Sequence, residues 1–247
     1  MHSLERPPQE NKKIWWLVGS LAVMFILISV WLAWPNHSEK QTQIEGEKLI
    51  KENSETIISA SFKNSLMPEI SSQDYLWGNQ DAKLSLVVYE DLSQSFSADL
   101  DQSLEKLKKD YGNDLKIAYR SFPASGSFGL KAAQNFRCAF AQGKGWEFRQ
   151  EILSIVKERS LLEEDFYLIA KKLELNQEKF KSCLGDQKVT NDLIEQTKEA
   201  AQYGVIGSPT LFIGDEMING ARPLADFTDS SNDKIEGLET IIQRKLK

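Results

Sequence analysis

Histidine and cysteine are nearly absent from this chain of 247 residues, with two of each. The histidines, His2 and His37, both fall outside the region that reads as folded. A domain without histidine cannot run Ser-His-Asp or Cys-His chemistry, and it lacks the usual ligands of a catalytic zinc. No metal and no cofactor is therefore expected. A basic block is missing too. The formal net charge is −6, so a phosphate-tracking surface for nucleic acid is not expected. Charged residues make up 27% and hydrophobic residues 41%, which excludes wholesale disorder.

The chain does hold one long uncharged run, Ile14 to Trp34, of 21 residues. At 1.5 Å per residue a helix of that length spans roughly 30 Å, the thickness of a bilayer's hydrocarbon. Trp15 and Trp16 stand at one end, Trp31 and Trp34 at the other, where indole rings favour the lipid–water interface. A cleaved signal peptide is the competing reading. The run is long for one, and a cut after Ala33 would put Trp31 where a small residue is needed. Arg6, Lys12 and Lys13 precede the span, and the basic residues after it are diluted by Glu39, Glu45 and Glu47. The expectation is a cytoplasmic tail (1–13), a transmembrane helix (14–34), a polar stalk (35–72) and an extracytoplasmic domain (73–247), periplasmic or extracellular.

Within that domain, Leu84 to Tyr89 is a short, β-branched run suited to a buried strand. Phe96, Leu100, Leu104 and Leu107 follow at helical spacing, and Leu115 to Arg120 reads as a second strand. This β-α-β order implies a parallel pair joined by a crossover helix. A helical stretch runs to about residue 203, as an insert beginning near 127. Thr210 to Ile213, Gly214-Asp215 and Met217-Ile218 read as a hairpin, and Lys234 to Lys245 as a closing helix.

Five motifs occur in order: Gly78-Asn79-Gln80-Asp81-Ala82; Tyr89-Glu90-Asp91-Leu92; Arg120-Ser121-Phe122-Pro123; Ala132-Ala133 through Cys138-Ala139 to Gln142-Gly143-Lys144 and Trp146; and Gly204-Val205 with Gly207-Ser208-Pro209-Thr210, followed by Gly220-Ala221-Arg222-Pro223. In this the chain resembles the DsbA-like thiol–disulfide oxidoreductases. The resemblance implies an α/β fold, thioredoxin-like with an inserted helical subdomain. It also places that family's C-x-x-C on Gln94-Ser95-Phe96-Ser97. Disulfide exchange needs a thiolate, and neither Gln94 nor Ser97 supplies one, so no catalytic residue is expected there. Asp99 and Asp101 suit a plain helix start and would oppose a thiolate.

The resemblance further implies a cis-proline at Pro209. Either Phe96, Ser208 and Pro209 form a retained peptide-binding groove, or the fold simply needs that turn. By the same resemblance Cys138 and Cys183 form a structural disulfide. Two free thiols or a catalytic pair are the alternatives. The function expected is a membrane-anchored binding or chaperone-like factor with a degenerate redox site, its partners extended or unfolded polypeptides. The alternative is an oxidoreductase with altered chemistry or a membrane redox partner that supplies the cysteine.

Overall fold

The structure, a computed structural model, describes residues 67–72 and 74–247. The expected tail, membrane span and most of the stalk lie outside the described residues. Among the described residues no helix is long and apolar enough to cross a membrane.

The elements are β1 (Tyr75–Gly78), β2 (Leu84–Glu90), α1 (Ser95–Tyr111), β3 (Leu115–Ser121), α2 (Gly126–Phe140), α3 (Gly145–Glu158), α4 (Glu163–Lys172), α5 (Gln177–Leu184), α6 (Gln187–Gln202), β4 (Thr210–Ile213), β5 (Glu216–Asn219), β6 (Phe227–Thr228), β7 (Lys234–Ile235) and α7 (Leu238–Lys245). Five strands form one sheet in the order β1-β3-β2-β4-β5. β2 and β3 are parallel, from Leu84 opposite Leu115 to Glu90 opposite Ser121. The other pairings are antiparallel.

Side chains on β2 alternate between two cores. Leu86 and Val88 pack with Leu100, Leu104 and Leu107 of α1 and with α2, α3 and α7. Val87 and Tyr89 pack on the other face with Ala200, Val205 and Phe212. Both faces of the strand are covered, so its sequence is almost continuously apolar. Fully burying one of these leucines contributes about 1.5–3 kcal/mol. The helical insert comprises α2 to α6, and α6 returns the chain to the sheet.

Gly214 has φ +61° at the first position of the two-residue turn between β4 and β5, a conformation most side chains avoid. Two expectations need correction. The residues before Gly78 form an extra edge strand, β1, antiparallel to β3. The last helix starts at Leu238, because Lys234–Ile235 pairs with β6 and Asp226 Oδ1 accepts from Gly237 N and Thr240 Oγ1, fixing the start of α7.

Candidate functional site

The segment Gln94-Ser95-Phe96-Ser97, onto which the resemblance places the C-x-x-C, lies just beyond the carboxyl end of β2, where α1 begins. Gln94 is the N-cap residue in an extended conformation (φ −104°, ψ 137°), and its side chain does not cap the helix. Its Nε2 donates instead to Ser125 Oγ at 3.1 Å, on the loop before α2. Ser95 and Phe96 are exposed, Phe96 by 61%. Ser97 is fully buried on the inner side of the first turn.

The Ser208–Pro209 peptide bond is cis, and this loop lies against the start of α1. Ser208 Oγ accepts from the backbone N–H of Asp91 at 2.6 Å. Ser97 Oγ donates to the Asp91 carbonyl at 2.7 Å and lies 3.4 Å from Ser208 Oγ. Since the Ser97 hydrogen is committed to the carbonyl, Ser208 is the donor in that last contact. The cis-proline loop meets the first turn of α1 through Ser97, and not through the Gln94 side chain. Gln94 faces Ser125.

Asp91 is the hub of the site. Its Oδ1 accepts from Ser93 N at 2.9 Å and from Ser93 Oγ at 2.6 Å. Its Oδ2 accepts from Ser125 N at 2.7 Å. A Cβ at Gly129 would stand 3.0 Å from the Asp91 carboxyl carbon and closer still to Oδ2, so α2 approaches this carboxylate only because residue 129 has no side chain. The signal for Asp91 was local: Asp followed two positions later by Ser is the pattern of an Asx turn.

Two buried arginines brace the end of β2. Arg149 of α3 donates to both oxygens of Glu90 at 2.7 and 2.8 Å and to Asp101 at 2.6 Å, and it lies over the Tyr119 ring at 4.4 Å. Burial opposes its charge, but Glu90, Tyr119 and Asp101 outweigh that, holding its pKa well above the ordinary value. Asp101, expected to oppose a thiolate, is thus paired. Arg120 grips Asp74 through Nε and Nη2 at 2.6 and 2.9 Å and donates to Tyr89 Oη at 2.8 Å. Burial pushes the Tyr89 phenol above its usual range, more than Arg120 lowers it.

No histidine lies among the described residues, and no base stands beside Ser97 or Ser208 that would make either a nucleophile. Cys138 of α2 and Cys183 of α5 are disulfide-bonded, with Cα atoms 5.7 Å apart, as the family resemblance implied. Cys138 is fully buried. Among the described residues no set of side chains could hold a metal ion.

Residues 71–232 match the family model described as thioredoxin. The chain belongs to the thioredoxin family. Solved structures similar to this thioredoxin-family chain are of the DsbA and ScsC kind. Proteus mirabilis ScsC in a compact conformation has a TM-score of 0.61 at 19% identity, covering 91% of this chain and 97% of its own. A thioredoxin-like oxidoreductase from Silicibacter pomeroyi gives 0.58 at 20%, covering 70% and 92%. The thiol-disulfide exchange protein alpha-DsbA2 from Wolbachia pipientis gives 0.56 at 19%, covering 83% and 96%. At these identities the likeness is one of fold. Curated relatives include the Na(+)/H(+) antiporter NhaA 1 of Mycolicibacterium gilvum, 24% identical over 157 residues, or 63% of this chain and 25% of the antiporter. The NhaA of Herminiimonas arsenicoxydans is 27% identical over 154 residues, or 62% and 24%. This thioredoxin-family chain spans about a quarter of the length of those relatives.

Proposed function

We propose that this protein is a membrane-anchored, extracytoplasmic member of the DsbA-like group that binds extended polypeptide without covalent exchange. The observation that carries the reading is the pairing of Ser97 with Ser208. The frame of a redox site is kept, with the cis-proline loop seated on the start of α1, while both sulfur positions carry other atoms. Phe96 on α1 and Ile206 on the loop are 61% and 73% exposed. Large exposed apolar side chains are what a binding surface presents to a client segment.

The test uses the full-length chain in detergent and fluorescently labelled, unstructured peptides rich in large apolar residues. Peptides with and without cysteine should bind alike, and Phe96→Ala with Ile206→Ser should weaken both by at least about tenfold, since each lost apolar contact is worth up to that much. Binding that needs a cysteine in the peptide would overturn the reading. Protease added outside intact cells should spare residues 1–13, and an N-terminus cut from outside refutes the orientation.

The second reading is an oxidoreductase working through Cys138–Cys183 or a cysteine-bearing partner, favoured by family membership and by the half-buried position of Cys183. Turnover of a model disulfide substrate, lost in Cys183→Ser, would decide for it.

A further inference from the structure

Half of the large apolar side chains exposed among the described residues lie on one short segment, Leu162, Tyr167 and Leu168. Leu162 precedes α4, and the other two stand on its outer face, 58% and 55% exposed. The inner face of α4 is accounted for, since Asp165, Phe166, Ile169 and Ala170 are buried against the body of the protein. Helical spacing puts Glu164, Tyr167, Leu168 and Lys171 on one outer stripe, and all four are exposed.

Most charges of this helix already have partners. Glu163 pairs with Lys131, Asp165 with Arg159 and Lys172 with Glu151. The two that make no salt bridge among the described residues are Glu164 and Lys171, the two on the stripe. Glu164 favours the charge of Arg159 from a distance, but Asp165 holds that guanidinium through both oxygens. Glu164 and Lys171 stand two helical turns apart, about 10 Å, too far to pair with each other. Tyr167 and Leu168 fill the space midway between them.

The stripe therefore reads acid, apolar, apolar, base. Turned through 180° about an axis passing between Tyr167 and Leu168, it is complementary to itself. Glu164 then faces Lys171 of a second copy, Lys171 faces its Glu164, and Tyr167 packs on its Leu168. A twofold contact requires such a self-complementary surface. A parallel arrangement would set Glu164 against Glu164. We propose that two copies of this protein associate through antiparallel α4 helices. One face of a ten-residue helix falls short of the roughly 1,200–2,000 Å² of a standard interface, so the association is weak and reversible. It involves neither Phe96 nor Ile206, and it stands or falls separately from peptide binding.

The experiment is sedimentation equilibrium of the full-length chain in density-matched detergent at about 0.05 M salt, where exposed charges are little screened. The average mass should rise with protein concentration. Glu164→Lys and Lys171→Glu each turn two attractive contacts into repulsive ones, and each should weaken association by at least about tenfold. Mixed in equal amounts, these two variants place opposite charges at both ends again and should recover the association. So should the chain carrying both reversals. Tyr167→Ser with Leu168→Ser should abolish it, and unchanged thermal midpoints show that the variants fold. Phe96→Ala with Ile206→Ser should leave it unaltered. Because both native cysteines are disulfide-bonded, an introduced cysteine is the one free thiol. Under mild oxidation Glu164→Cys should crosslink to Lys171→Cys and not to itself. A mass independent of concentration, single reversals that associate as the parent does, a mixture no tighter than its components, or Glu164→Cys crosslinking to itself overturns the proposal.

Discussion

Ser97 and Ser208, 111 residues apart in the chain, hold their hydroxyl oxygens 3.4 Å apart. Residues 94 and 97 are one helical turn apart at the start of α1, a spacing that lets two cysteines meet. Gln94→Cys with Ser97→Cys should therefore form a disulfide that opens and closes in mild reductant, and it should gain modest reductase activity. The helix N-terminus favours a thiolate; exposed Asp99 opposes it, while Asp101 is already paired with Arg149. Thiol titration before and after reduction checks the bond. Two thiols that never pair would refute the assignment of positions 94 and 97.

The Cys138–Cys183 bond closes a separation of 45 residues. A closed loop of that size stabilises the fold by about 4 kcal/mol on the chain-entropy estimate. Its loss should lower the melting temperature by roughly 10 °C in a domain of this size. α5 should loosen first, since Phe180 is its one buried side chain. Calorimetry of the double serine variant, with hydrogen exchange across 177–184, measures both effects.

Arg149 sits between Glu90 and Asp101 with 2% of its side chain exposed. Arg149→Leu leaves two carboxylates without their partner and should cost about 3–5 kcal/mol. Adding Glu90→Gln should recover part of that loss, because the stranded charge is removed with it. Urea denaturation of the two variants tests the sign. A double variant worse than the sum of its singles would contradict the pairing.

Glu216 on β5 meets Arg244 and Lys245 of α7. Hydrogen bonds from Arg244 and then Lys245 hold its carboxyl down to about 2. A depressed carboxylate contributes its stability above its unfolded pKa, near 4.5, and loses it as pH falls from there to about 2. Thermal midpoints should drop across that window, and less so in Glu216→Gln, whose amide has no charge to lose. Equal slopes in both proteins would count against this contact.

The elements with a strong local period were legible in the sequence. Leu100, Leu104 and Leu107 mark one face of α1, and the apolar run of β2 announces a strand covered on both sides. The short elements were not legible. β1 has four residues and exists because β3 offers it an edge, while Lys234–Ile235 reads as helix until Asp226 sets the start of α7. At the site, motif order located the cis-proline. Spacing gives no hint that Arg149 of α3 reaches Glu90, 59 residues away, or that Ser125 receives the Gln94 side chain. Such contacts depend on how helices are placed on the sheet, and local pattern carries no record of that.

The bare Cα of Gly129 and the carboxylate of Asp91 behave as key and keyhole. Enlarge residue 129 and the acid must swing away, releasing Ser93 and Ser125 together. Drift at either position alone is therefore penalised, whether or not sulfur is present at 94 and 97. The aspartate–glycine pair, 38 residues apart, thus ties the end of β2 to α2 by shape alone, independently of what atoms stand at 94 and 97.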